Sequence, residues 1–300
     1  MKATRILFLA VLLFLSTNTF AQSLREKFLA LCTSNDIAGQ TSVLKEWEAK
    51  SPDDPELYVA YFNHYVQKSI TEVLTMDATS NDTESLQLTD SSGTTAGFIN
   101  SEIQLNEDDL KKGIEYINNG INKFPDRLDM RFGKIYALGQ FGMYDDFTSE
   151  IIKTIEYSNN NKNRWRWSEN ALREDGKEMM LESIQDYVMQ LYETNDDALL
   201  ENMKQISETV LKYYPDHVQS LSNISVVHLL RNEIDAGLVS LLKAEKVAPT
   251  DHIILGNIAQ AYKMKGDKKN SLKYYELMFK HGDDGAKSDA KQQIQKLKAK

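Results

Sequence analysis

Apolar residues recur at three- and four-residue spacing through most of this chain. Met180, Ile184, Tyr187, Val188 and Leu191 share one helix face, and Leu199, Met203, Ile206, Val210 and Leu211 share another. The five prolines (Pro52, Pro55, Pro125, Pro215 and Pro249) all fall in the gaps between such stretches. Proline inside a helix costs about 3 kcal/mol, so this placement marks helix ends. No sustained alternation of apolar and polar residues argues for a sheet, and the pattern predicts an all-α fold.

Pro215 and Pro249 stand 34 residues apart, and the segments after them share a register. Leu221-x2-Ile224-Ser225-x2-His228 matches Leu255-x2-Ile258-Ala259-x2-Tyr262, and Gly237-x3-Leu241-x2-Ala244 matches Ser271-x3-Tyr275-x2-Met278. Gly266 lies where one helix must turn back into the next. The small residues let two helices approach closely, while the tyrosines fill the space toward the following pair. These segments resemble the tetratricopeptide repeat, a 34-residue helix-turn-helix unit. They depart from its pattern in lacking the tryptophan, in His228 replacing the tyrosine, and in Asp283 standing at the proline position.

Upstream the pattern is weaker. Phe132-Gly133-x2-Tyr136 reads as a first helix and Gly142-Met143-Tyr144 as the turn into a second, while Tyr58-x2-Tyr61-Phe62-x2-Tyr65 carries bulky Phe62 at the small position. Residues 177–194 with 196–213, and 23–32 with 41–50, complete the series, with Trp47 packing inward. The resemblance implies a right-handed superhelical solenoid of about six antiparallel helix hairpins with a C-terminal capping helix. The expected organisation is a leader over residues 1–21, a repeat domain over 22–283 and the cap over 284–300. A polar insertion at 76–108, nine apolar residues in 33, and an irregular spacer at 158–176 interrupt the array. The insertion is expected to be mostly a mobile loop, with Leu86-Gln87-Leu88 a scrap of strand and its acids, Asp77, Asp82, Glu84 and Asp90, solubilising rather than calcium-binding.

Lys2 and Arg5 precede an apolar run from Ile6 to Leu15, and Thr19 and Ala21 are small residues before Gln22. This describes a secretory signal peptide, and ten apolar residues rise only about 15 Å, too little to span a bilayer. The expected address is the periplasm, the cell envelope or the medium of a bacterium. Cys32 is a poor lipid-anchor site behind the large Leu31 and reads as a buried thiol. The net charge of −9 becomes −11 once Lys2 and Arg5 leave with the leader, which argues against nucleic acid and anionic membranes as partners. A single cysteine excludes an intrachain disulfide.

Nucleotide-binding, serine-hydrolase and zinc-protease motifs are missing, and no two of the five histidines lie three or four residues apart. No catalytic residue, metal or cofactor is assigned. The resemblance implies instead a non-enzymatic adaptor or scaffold that binds a protein or peptide segment in a concave groove, as a member of an envelope complex. Asn223 and Asn257, one repeat apart, are the expected groove residues, because an amide both donates to and accepts from a peptide backbone. Gln260 and Lys263 extend the same helix. The alternative is a glycan- or small-ligand-binding protein that stacks its ligand on Arg164, Trp165, Arg166 and Trp167; a hydrolase whose carboxylates meet only in the fold is the third reading.

Overall fold

Asparagine and glycine at the helix corners set the architecture. The computed structural model describes residues 23–81 and 85–299, so the leader at 1–21 and the acids Asp82 and Glu84 lie outside the described residues. Helices follow in six successive pairs: α1 (23–33) with α2 (Ile37–Lys50), α3 (Pro55–Ser69) with α4 (Glu107–Lys123), and α5 (Leu128–Gln140) with α6 (Tyr144–Asn160). Then come α7 (Gly176–Glu193) with α8 (Leu200–Tyr213), α9 (Val218–Leu230) with α10 (Ile234–Val247), and α11 (His252–Met264) with α12 (Lys268–His281). A last helix, α13 (Asp284–Lys298), packs on α12. Asn35, Gly142, Asn195, Asn232 and Gly266 hold positive φ at the turns inside five of these pairs. Only glycine and asparagine enter that region readily. At three corners the next residue, Asp36, Asp196 or Asp267, caps the following helical turn by accepting a backbone N–H.

The chain divides into two compact units, residues up to 134 with 166–171, and 135–165 with 172 onward. In the first, α2 and α4 pack on α3. Leu24, Phe28, Leu44, Trp47, Leu57 and Tyr61 form a core, with Cys32 half-buried at its margin. Trp47 is buried as expected and donates its Nε1–H to Asp54 Oδ2 at 3.0 Å. Bulky Phe62 is accommodated because the small residues have moved to the partner helix. A Cβ on Gly113 would lie 3.2 Å from the Tyr65 Cβ, and one on Gly120 would lie 2.9 Å from the Tyr58 Cβ. Tyr61 and Tyr116 stack at 4.2 Å between these helices.

The insertion is not a loop. It folds as a three-stranded antiparallel sheet, β1 (Ile70–Asp77), β2 (Leu86–Thr89) and β3 (Thr95–Leu105), in the order β1-β3-β2. It starts at Ile70, directly after α3, with no proline or glycine to announce the change. Alternation is present in both long strands, but Glu72 and Ser101 occupy the apolar parity and obscure it. Asp90 serves the β2–β3 turn, accepting from the backbone N–H groups of Ser92 and Thr94 at 2.8 and 2.9 Å.

In the second unit each helix from α8 to α13 packs on the next. The 34-residue register holds in three dimensions. Ser225 and Ala259 are both fully buried, and the residues facing them are also equivalent. A Cβ on Gly237 would meet the Ser225 carbonyl at 3.3 Å, while the Ser271 hydroxyl donates to the Ala259 carbonyl at 2.9 Å. Surface ion pairs repeat too: Arg231 reaches Glu201 at 3.2 Å, and Lys265 reaches Asp235 at 2.5 Å.

Candidate functional site: a groove on α7, α9 and α11

The first helices of three successive pairs, α7, α9 and α11, pack side by side in the second unit. Amides join them. Asn223 Nδ2 donates to Gln185 Oε1 at 2.8 Å, and Asn257 Nδ2 donates to Ser222 Oγ at 3.0 Å. Over these bonds lies a groove of about 400 Å³ whose other walls include Met189, Tyr192, Val226 and Ile253. Ile253 is 60% exposed, Tyr192 42% and Met189 40%. Clustered exposed apolar side chains beside a few polar groups are what a binding groove presents.

Asn223 and Asn257 are therefore brought to one groove, but their amides are occupied. Asn223 is only 8% exposed and ties α9 to α7. Gln260 and Lys263 are exposed on α11 outside the groove lining. The Gln260 carbonyl accepts from the Tyr275 hydroxyl at 3.0 Å, and Lys263 donates to Gln293 of α13 at 2.9 Å. The repeat register does not reveal the apolar wall. Its signal in the sequence is that Met189, Tyr192 and Ile253 are apolar yet fall off the buried stripes of their helices.

Arg164, Trp165, Arg166 and Trp167 do not form a stacking platform. Trp165 is fully buried, tilted against Tyr157 at 5.8 Å and closed over by Gly176. Arg164 is exposed beside it in sequence. In the first unit, Arg166 pairs its backbone with Asp126 and Leu128 and donates its guanidinium to the Asn170 carbonyl at 2.6 Å. Trp167 meets Phe132 edge-on at 6.2 Å. Packing removes Trp165 from ligand contact, because a buried indole has no free face to offer.

The same first-unit spacer is held by a buried ionic network. Arg127, fully buried, grips Asp129 with two bonds of 2.7 and 2.6 Å and reaches Glu56 at 2.8 Å. Glu56 also accepts the Glu169 N–H at 2.8 Å, and Arg25 pairs with Glu169 at 2.9 Å. Burial alone would lower the Arg127 guanidinium, but the paired carboxylates outweigh it and hold the group above its usual range. The arrangement is structural, since every carboxylate in it is engaged.

A second space of about 600 Å³, between α6 and α8, is polar, with Asp145, Lys153, Glu156, Glu201 and Asn202 among its walls. Among the described residues no group of three or more His, Cys, Asp and Glu side chains is placed to hold a metal ion, and no helix is long and apolar enough to cross a membrane.

No family model matches the chain, and no curated protein matches it. Solved structures are similar at low identity. One is a tetratricopeptide repeat protein from Parabacteroides merdae (11% identity, 92% of this chain and 88% of that one, TM-score 0.39). A second is TTC0263 from Thermus thermophilus, also a tetratricopeptide repeat protein (14% identity, 63% and 91%, TM-score 0.38). A third is YrrB, a tetratricopeptide repeat protein described as having an unusual peptide-binding site (10% identity, 62% and 85%, TM-score 0.40).

Proposed function

We propose that this chain is an exported, non-enzymatic adaptor of a bacterial cell envelope, which holds a segment of a partner protein in the groove on α7, α9 and α11. The observation that carries the reading is the pairing of an apolar wall, Met189, Tyr192 and Ile253, with the amide rungs at Asn223 and Asn257. Apolar side chains of a bound segment would lie against the wall, and its backbone would compete with Gln185 and Ser222 for the amides of the rungs. The 34-residue register supports the reading, because stacked repeats put equivalent residues of successive first helices in one row. The basic start and apolar run of residues 2–15 support export.

A photo-crosslinking residue at Ile253 tests the groove, with Val239 on α10, 71% exposed, as the control site. The expected result is one envelope protein captured from the Ile253 site and not from the Val239 site, and lost when Tyr192 is changed to Glu. Equal capture at both sites sinks the groove. Finding the chain in the cytoplasm with Lys2 and Arg5 still attached sinks the export reading.

A further inference from the structure

Most of the apolar residues of the inserted sheet are gathered on one face, with Val73, Ala96 and Phe98 on the other. In the antiparallel register Ile70 lies opposite Leu105, and Met76 opposite Ile99, which on its other side lies opposite Leu86. Residues of matching parity, including Leu74 and Ile103, therefore point the same way. They are bare: Leu74 is 74% exposed, Met76 72%, Ile103 71% and Leu86 67%. The opposite face is different. Asn100 is buried there, donating to Asp77 Oδ2 at 3.0 Å and to the Thr79 carbonyl at 3.1 Å, so the chain after β1 folds over that side.

We propose that this apolar sheet face is a homodimerisation surface, covered by the same face of a second copy. The six aliphatic residues exposed by more than a third present about 700 Å², near the ~800 Å² per partner of a standard interface and above the largest patch usual for a monomer. Among the described residues the one charged side chain on the face is Glu72, whose carboxylate accepts from the Ser101 hydroxyl at 2.5 Å. The face is a pleat of similar aliphatic side chains, which interdigitates with another pleat as two sheets packed about 10 Å apart. A two-fold axis through β3 makes the contact self-complementary. A bilayer is a poorer occupant, since Asp77 and Glu102 stand on the same strands and the chain carries a net charge of −9.

Sedimentation velocity on the purified chain at up to about 100 μM tests this, with the doubly substituted Leu74→Lys, Ile103→Lys chain beside it. The expected result is twice the chain mass for the parent and a single chain mass for the variant, at unchanged helical circular dichroism. Hydrogen exchange of the parent adds a reading that needs no variant: amides of residues 70–76 and 99–105 should exchange more slowly as concentration rises. A parent that stays monomeric, a dimer that survives both lysines, or exchange independent of concentration overturns the proposal. So does a monomer that floats with phosphatidylcholine vesicles, which would assign the face to lipid.

Discussion

Asn232 and Gly266, 34 residues apart, occupy the same left-handed corner of successive hairpins, with φ of 59° and 81°. A Cβ at Gly266 would meet nothing within 4 Å, so its substitution has only a backbone cost. Gly266→Ala should destabilise the chain by about 1–2 kcal/mol, and Asn232→Gly should change it by only a few tenths. Urea unfolding followed by circular dichroism separates these outcomes; a Gly266→Ala chain as stable as the parent would show that the corner relaxes.

Removing the Arg127 charge tests the buried network of the first unit. Arg127→Met takes from Glu56 and Asp129 the cation they share in a buried site, and should cost about 3–5 kcal/mol. Arg127→Lys should recover only part of this, because an ammonium cannot make the two-pronged bond to Asp129. Equal stability of the Arg127→Lys and parent chains would show that charge alone suffices.

Gly120→Ala should cost about 1–3 kcal/mol through overpacking, since the new methyl would meet both Tyr58 and the Met130 sulfur, at 3.1 Å from the latter. Asn119→Ala, at the exposed neighbour on α4, is the control and should stabilise slightly through helix propensity. A rise in melting temperature for the Gly120→Ala chain as well, as propensity alone would give, contradicts the close approach of α3 and α4.

Two histidines make stability depend on pH. His64, buried, meets Gln40 Oε1 at 2.8 Å, and burial, then the nearby Lys68, holds it below its ordinary value of 6.5. His217, half-buried, accepts the Ser220 N–H at 3.3 Å as the cap of α9, and burial, then Lys177, lowers it likewise. The unfolded chain therefore takes up these protons first. Stability is complete above the unfolded value and declines as the pH falls through it toward the depressed folded values. Melting temperature should fall between about pH 7.5 and pH 5, and His217→Asp, which keeps a capping oxygen, should flatten the decline. An equal slope in both chains would remove His217 from the account.

The helical hairpins are legible in the sequence because buried positions such as Leu221, Leu255, Ile224 and Ile258 repeat at one spacing. Two corners, at Gly142 and Gly266, are legible as glycine turns, while those at Asn35, Asn195 and Asn232 are harder to read because asparagine marks the left-handed region less distinctively than glycine. The sheet is hidden because its alternation carries Glu72 and Ser101 on the apolar face, and because that face is exposed rather than part of a core. Asn223 and Asn257 both line one groove. Their engagement with Gln185 and Ser222 depends on the distance between neighbouring helices, which no single-chain spacing reports.

The Asn106 N–H donates to the Ser69 carbonyl at 2.7 Å, so the chain leaves α3 and rejoins α4 at almost the same place. The sheet is thus an ornament hung from a closed ring, and the hairpin beneath it does not depend on it for its path. Excising residues 70–105 and bridging the gap with a short glycine-containing turn should leave a plain pair of helices. The insertion is in that sense portable, acquired or discarded without redrawing the scaffold.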